Sequence, residues 1–152
     1  MTTRRKSTRF AVLGLLVLAA VGSLVGVSAA ATPITIAQLA GPWQVAVAGN
    51  TGCGVSSMLY KGKLDSTGHS SGTLTGSSAG CGSSSTTQTF NILSLNGDGS
   101  GTAGLTCGSG CGWVFNIQVS RNKQVINLVD VVNGGANVLA GTAVKQTVVT
   151  AQ

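Results

Sequence analysis

Four cysteines, at positions 53, 81, 107 and 111, are the residues of this chain best equipped for chemistry; beside them stand one histidine, His69, and three acids, Asp65, Asp98 and Asp130. In an oxidising compartment an even cysteine count implies disulfides. A four-thiolate metal site is the alternative, but structural zinc sites carry paired C-x-x-C knuckles, and these spacings have none, so neither a metal nor a cofactor is expected. Cys107 and Cys111 flank Gly-Ser-Gly and can close on each other, leaving Cys53 to Cys81. The competing arrangement joins Cys81 to Cys111 and Cys53 to Cys107. The local pairing is preferred.

Catalysis finds little support in the remaining groups. His69 lies in a Ser/Thr/Gly turn with Asp65 in reach, but a triad needs a nucleophile held against an oriented base in a cleft, and a short turn encloses nothing. Asp65 and Asp98 read as turn formers. Asn96-Gly-Asp98-Gly lacks the further acidic ligands of a calcium loop. The chain is expected to be a non-enzyme.

The cysteines must be positioned by strands. From Trp43 onward, β-propensity runs alternate with Gly, Asn, Asp and Ser clusters and no helical periodicity is sustained. Eight strands are expected, over 43–48, 55–64, 70–77, 86–95, 100–107, 112–120, 125–132 and 138–146. Connections this short join antiparallel neighbours. Such a meander predicts an all-β fold, an up-and-down barrel that closes its own edges, in preference to a β-sandwich, whose Greek-key topology requires a longer connection. A repeat supports the count: Gly72-Thr73, Gly80-Cys81-Gly82 and Phe90-Asn91-Ile92 recur as Gly101-Thr102, Gly110-Cys111-Gly112 and Phe115-Asn116-Ile117, with a third Gly-Thr at Gly141-Thr142.

Alternation assigns the inner face. Trp113, Phe115, Ile117 and Val119 group together, as do Trp43, Val45 and Val47; Met58, Tyr60 and Leu64; Phe90 and Ile92; and Val138, Ala140 and Val144. The strand 125–132 is apolar on both faces. If Ile126 and Leu128 point inward, so does Asp130, near the mouth, where it could orient a ligand; if Val125, Val129 and Val131 do, Asp130 is solvated. Few inward residues are large, which predicts a shallow cup at one end rather than a deep cavity.

Residues 1–31 have a basic start at Arg4, Arg5, Lys6 and Arg9, an apolar run over 10–27 and a small-residue exit, the pattern of a secretory signal peptide. The product would be periplasmic or extracellular, with no membrane span after cleavage. Residues 32–40 are expected as a tether, 41–148 as the barrel and 149–152 as a tail. The formal net charge of +6 is mostly leader; beyond it, Lys61, Lys63, Arg121, Lys123 and Lys145 face the three aspartates, leaving +2. A nucleic-acid binder would show a basic patch interleaved with aromatics, and none is present.

An up-and-down order sorts the connections into two ends. Loops 49–54, 78–85, 108–111 and 133–137 fall at the end away from Trp43, with every cysteine in or beside them and no charge among them. The turns 65–69, 96–99 and 121–124 gather Asp65, His69, Asp98, Arg121 and Lys123 at the Trp43 end.

Gly41-Pro42-Trp43 opening an eight-stranded meander resembles the Gly-x-Trp start of the lipocalin and avidin group of ligand-binding barrels. The resemblance implies that Trp43 closes the narrow end, with Arg121 placed to stack over its indole, and that a small ligand enters at the cysteine end. The chain departs from the group in lacking a Thr-Asp-Tyr turn, an arginine after the last strand and a C-terminal helix. Trp113, Tyr60 and Asp130 are the candidate ligand contacts for a small, mostly uncharged molecule. The competing expectation is a structural or self-associating surface protein with no small ligand.

Overall fold

The computed structural model describes residues 31–107, 112–130 and 138–147. The expected leader, all but its last residue, lies outside them, as do Cys111, the loop 133–137 and the tail 149–152.

Eight antiparallel strands close into an up-and-down barrel: β1 (Gly41–Thr51), β2 (Gly54–Leu64), β3 (Ser71–Ser78), β4 (Gly82–Leu95), β5 (Ser100–Thr106), β6 (Gly112–Val119), β7 (Val125–Asp130) and β8 (Val138–Lys145). Each strand pairs with the next, and β8 returns to β1 through a register running from Trp43 opposite Lys145 to Asn50 opposite Val138. Closure removes the sheet's outer edges, although residues 82–88 of β4 overhang β5 and pair with β3 alone. β4 is longer than its sequence predicted, starting at Gly82 instead of residue 86. The Ser/Thr run that reads as a loop pairs with β3 as far as Ser78 opposite Gly82, because hydroxyl side chains satisfy a half-exposed ladder as well as a turn.

The inward columns follow the expected phase in most strands. Trp43, Val45 and Val47 of β1, Tyr60 and Leu64 of β2, Phe90 and Ile92 of β4, and Phe115, Ile117 and Val119 of β6 are all buried. A register shift between Ile92 and Ser94 inserts one residue and restores Leu95 to the inner side. In β8 the assignment reverses. Leu139 and Ala143 are buried, whereas Val138 and Val144 are 65% and 44% exposed. The inward set of β8 contains Gly141 and Lys145, which hid its apolar character. Gly141 has to be small: a Cβ there would stand 1.9 Å from the Ala46 carbonyl oxygen on β1.

The repeat has a structural counterpart in those glycines. Gly72 and Gly101 meet the same situation, a Cβ on either lying 2.1 Å from the neighbouring strand's carbonyl oxygen, at Lys61 and Ser94 respectively. At each Gly-Thr the glycine admits the adjacent backbone and the threonine faces outward.

Residues 32–40 are a plug rather than a tether. Ile36–Leu39 form a turn of 3-10 helix, Leu39 is fully buried and Ile34 nearly so. The Ile34 amide donates to the Gly97 carbonyl at 2.9 Å, and the Trp43 indole Nε1 donates to the Leu39 carbonyl at 2.7 Å. The apolar pair Ile34 and Leu39 covers what the turns leave open beneath Trp43, which an exposed tether would not do.

Candidate functional site

Toward one end of the barrel the inward residues become small and polar. On β2 the inward column runs Leu64, Gly62, Tyr60, Met58, Ser56; on β3 it runs Gly72, Leu74, Gly76, Ser78; on β4 it runs Ile92, Phe90, Gln88, Thr86, Ser84. An eight-stranded barrel is just wide enough to be filled by side chains or to hold one small ligand. Tyr60 and Phe90, with ring centroids 5.9 Å apart, fill the middle together with Phe115, Leu105 and Leu128. Above them the small residues leave a cup of about 520 Å³.

The cup has unlike walls. Thr51, Ser56, Ser78, Ser84 and Thr86 line one side with hydroxyls, Trp113 stands on β6, and Met58 and Leu74 contribute apolar surface. Among the described residues lining it none is charged. The rim is tied across the top by the Cys53–Cys81 disulfide, which joins the β1–β2 and β3–β4 connections with a Cα–Cα distance of 5.5 Å. That bond is one half of the expected local pairing. Cys107 also lines the cup and is disulfide-bonded; Cys111 lies outside the described residues.

Side chains fix the rim loops from below. The Thr51 and Ser56 hydroxyls are 2.8 Å apart, the Cys53 amide donates to Thr51 Oγ1 at 3.1 Å, and the Cys81 amide donates to Ser78 Oγ at 3.2 Å. Deeper in the wall, Gln88 Nε2 donates to Thr86 Oγ1 and Gln88 Oε1 accepts from Thr106 Oγ1. The hydroxyl wall is thereby held before any ligand arrives.

Of the three candidate contacts, only Trp113 lines the cup. Tyr60 is fully buried below it, bonded through its hydroxyl to Ser70, and burial pushes its phenol pKa up. The column that carries Tyr60 is the right one, but it reaches the cup two and four residues earlier, at Met58 and Ser56. Asp130 faces inward, since β7 buries Ile126 and Leu128, and its Oδ2 is buried. It sits opposite Phe115, one inward step below Trp113, and is not among the cup's lining residues. The hydroxyl wall is what alternation could have found, by extending the inward phase of Phe90 and Leu74 outward past the last apolar residue.

At the opposite end Lys145, rather than Arg121, stands over Trp43. Its Nζ is 5.9 Å from the ring and donates to the Gln38 carbonyl at 3.2 Å, while Arg121 is exposed in the β6–β7 turn. Turn geometry places Arg121 at the correct end; the register between the neighbouring strands β1 and β8 places Lys145 directly opposite Trp43. His69 is exposed there too. Asp65 Oδ1 accepts from the Thr67 amide and hydroxyl and from the His69 amide, and Asp98 Oδ1 accepts from the Ser100 amide and hydroxyl. The hydroxyl bond from Thr67 and that from Ser100 lead in holding the two carboxyls below their ordinary pKa.

These features define a closed, eight-stranded, antiparallel up-and-down barrel, solid at one end and cupped at the other, an architecture that fits a calycin-type fold. Comparison with protein-family models, with curated proteins and with solved structures finds no match to this chain.

Proposed function

We propose that the chain is an exported, non-catalytic binding protein that holds a small, mostly uncharged ligand in its disulfide-braced mouth. The observation that carries this reading is the cup of about 520 Å³ with no charged side chain among its described lining residues. Its size falls in the roughly 300–1,000 Å³ typical of small-molecule pockets. A charged ligand would lose its hydration there without a compensating partner.

Kinship with the lipocalin and avidin group is part of the proposal. It is supported by Trp43 beneath a cation at the closed end and by the mouth at the other. Export is supported by the disulfide and by the leader pattern of residues 1–31; among the described residues, no helix is long and apolar enough to cross a membrane. The non-catalytic reading is supported by the exposed His69 and by the commitment of Asp65 to its own turn. Native mass spectrometry of protein purified from its own host tests the reading: a retained small neutral molecule is expected, and a mass equal to the bare oxidised chain in every preparation would contradict it.

One observation favours the alternative of self-association. Val55, Val129, Val138 and Val144 are exposed, and Ala48, Ala140 and Val129 form one outward row across β1, β8 and β7. Sedimentation across a concentration series separates the two readings, a single monomeric species supporting the binding protein.

A further inference from the structure

We infer that the ligand of the mouth is a neutral saccharide, with its hydroxyl edge on the β2–β4 wall and a C–H face of one ring against Trp113; this rests on the binding reading above. Depth supplies the first argument. Tyr60, Phe90, Phe115 and Leu105 fill the barrel below the cup, so an acyl chain or a sterol finds no channel along the axis. The ligand must be compact.

Polarity supplies the second. One side of the cup offers hydroxyls from Thr51, Ser56, Ser78, Ser84 and Thr86, and β6 offers an indole. A wholly apolar molecule would bury hydroxyls against itself and lose their hydration. A wholly polar one would strand Trp113, Met58 and Leu74. A pyranose has both characters at once, a rim of hydroxyls around the ring and patches of C–H above and below it. Aromatic side chains present a negatively polarised face, which suits the slightly positive hydrogens of such a patch, and Ser and Thr hydroxyls donate as well as accept, as sugar hydroxyls do.

Rigidity supplies the third. The Cys53–Cys81 bond and the hydrogen bonds that the Cys53 amide donates to Thr51 and the Cys81 amide donates to Ser78 fix the hydroxyl side in advance. Holding the wall before binding lowers the ordering cost that weakens sites built on polar loops. At about 520 Å³ the cup has room for one or two rings.

Saturation-transfer NMR on the intact oxidised protein tests the assignment. The probes are maltose, cellobiose and N,N′-diacetylchitobiose, with cyclohexanol as a neutral ring the size of one pyranose that carries a single hydroxyl in place of the rim. At least one disaccharide is expected to receive saturation, strongest at its ring C–H protons. Trp113→Ala should weaken that binding about tenfold or more. Ser84→Ala, at an exposed position of the cup wall, should weaken the sugar more than cyclohexanol. Binding of cyclohexanol at the mouth with none of the disaccharides would overturn the saccharide assignment while leaving a small-ligand mouth standing. Sugar binding indifferent to both substitutions, in folded variants, would also overturn it. Failure of every probe, joined to an empty protein in native mass spectrometry, would overturn both readings.

Discussion

Trp43 and Trp113 are inward residues of the same type with opposite fates. Trp43 is sealed between Leu39 and Lys145 at the filled end, and Trp113 is half-buried at the cup. Lys145 contributes a cation over the ring and a hydrogen bond to Gln38, so Lys145→Ala should destabilise the fold by about 0.5–1 kcal/mol, whereas Arg121→Ala should leave it unchanged. Chemical denaturation of the two variants checks this, and equal losses would contradict it. The turn carboxylates set the acid side of the stability profile. Asp65 and Asp98 titrate below their ordinary pKa when folded, so the stability they contribute is present above the ordinary carboxylate range and is lost as pH falls through their folded-state values. Thermal melts from neutral to acid pH should show the midpoint falling, and the Asp65→Asn, Asp98→Asn double variant should show a shallower fall over that interval.

At the scale of the elements, the β1–β2 and β3–β4 connections are held together by a covalent bond across 28 residues of sequence. Replacing Cys53 and Cys81 by serine should cost about 3.5 kcal/mol by the loop-entropy estimate; denaturant melts of the oxidised parent and the variant measure it. Gly141→Ala drives a methyl group into the Ala46 carbonyl and should cost roughly 1–3 kcal/mol. Leu39→Ala opens the plug and should cost about 3 kcal/mol, where a mere tether would show no loss. The barrel itself is legible in the sequence because short connections between alternating runs leave an antiparallel meander as the simplest solution. The disulfide between Cys53 and Cys81 is legible for the same reason, both cysteines falling in neighbouring loops of one end. Three features are not. β8 carries apolar residues on both faces, and only the close approach of Gly141 to β1 fixes which face turns inward. The plug is read as a tether because four residues of 3-10 helix leave no periodicity to detect. The cup is lined by serine and threonine, which composition assigns to loops and which only the continued ladder of β4 turns into a wall.

On the scale of the whole molecule, the chain separates chemistry by its two ends. Most charged and titratable groups gather at the turns around Trp43, where Asp65 and Asp98 shape backbone; Asp130, opposite Phe115 below the cup, is the exception, and the described lining of the mouth is hydroxyls, sulfur, Leu74 and one indole. A cup with no charge among its described lining residues, above a solid core, fits the proposed binding role, and the bond between Cys53 and Cys81 ties the β1–β2 and β3–β4 connections of its rim. The account stands on the mouth being the place where a ligand meets the protein. Proton–nitrogen correlation spectra of the labelled, oxidised protein, recorded with and without the low-mass neutral fraction of host extract, test this most directly. The account predicts that shifts gather on Ser56, Gly76, Ser78, Ser84 and Thr86 and on the indole of Trp113, with the indole of Trp43 unmoved; shifts centred on Trp43 and His69, or none at any concentration of the extract, would contradict it.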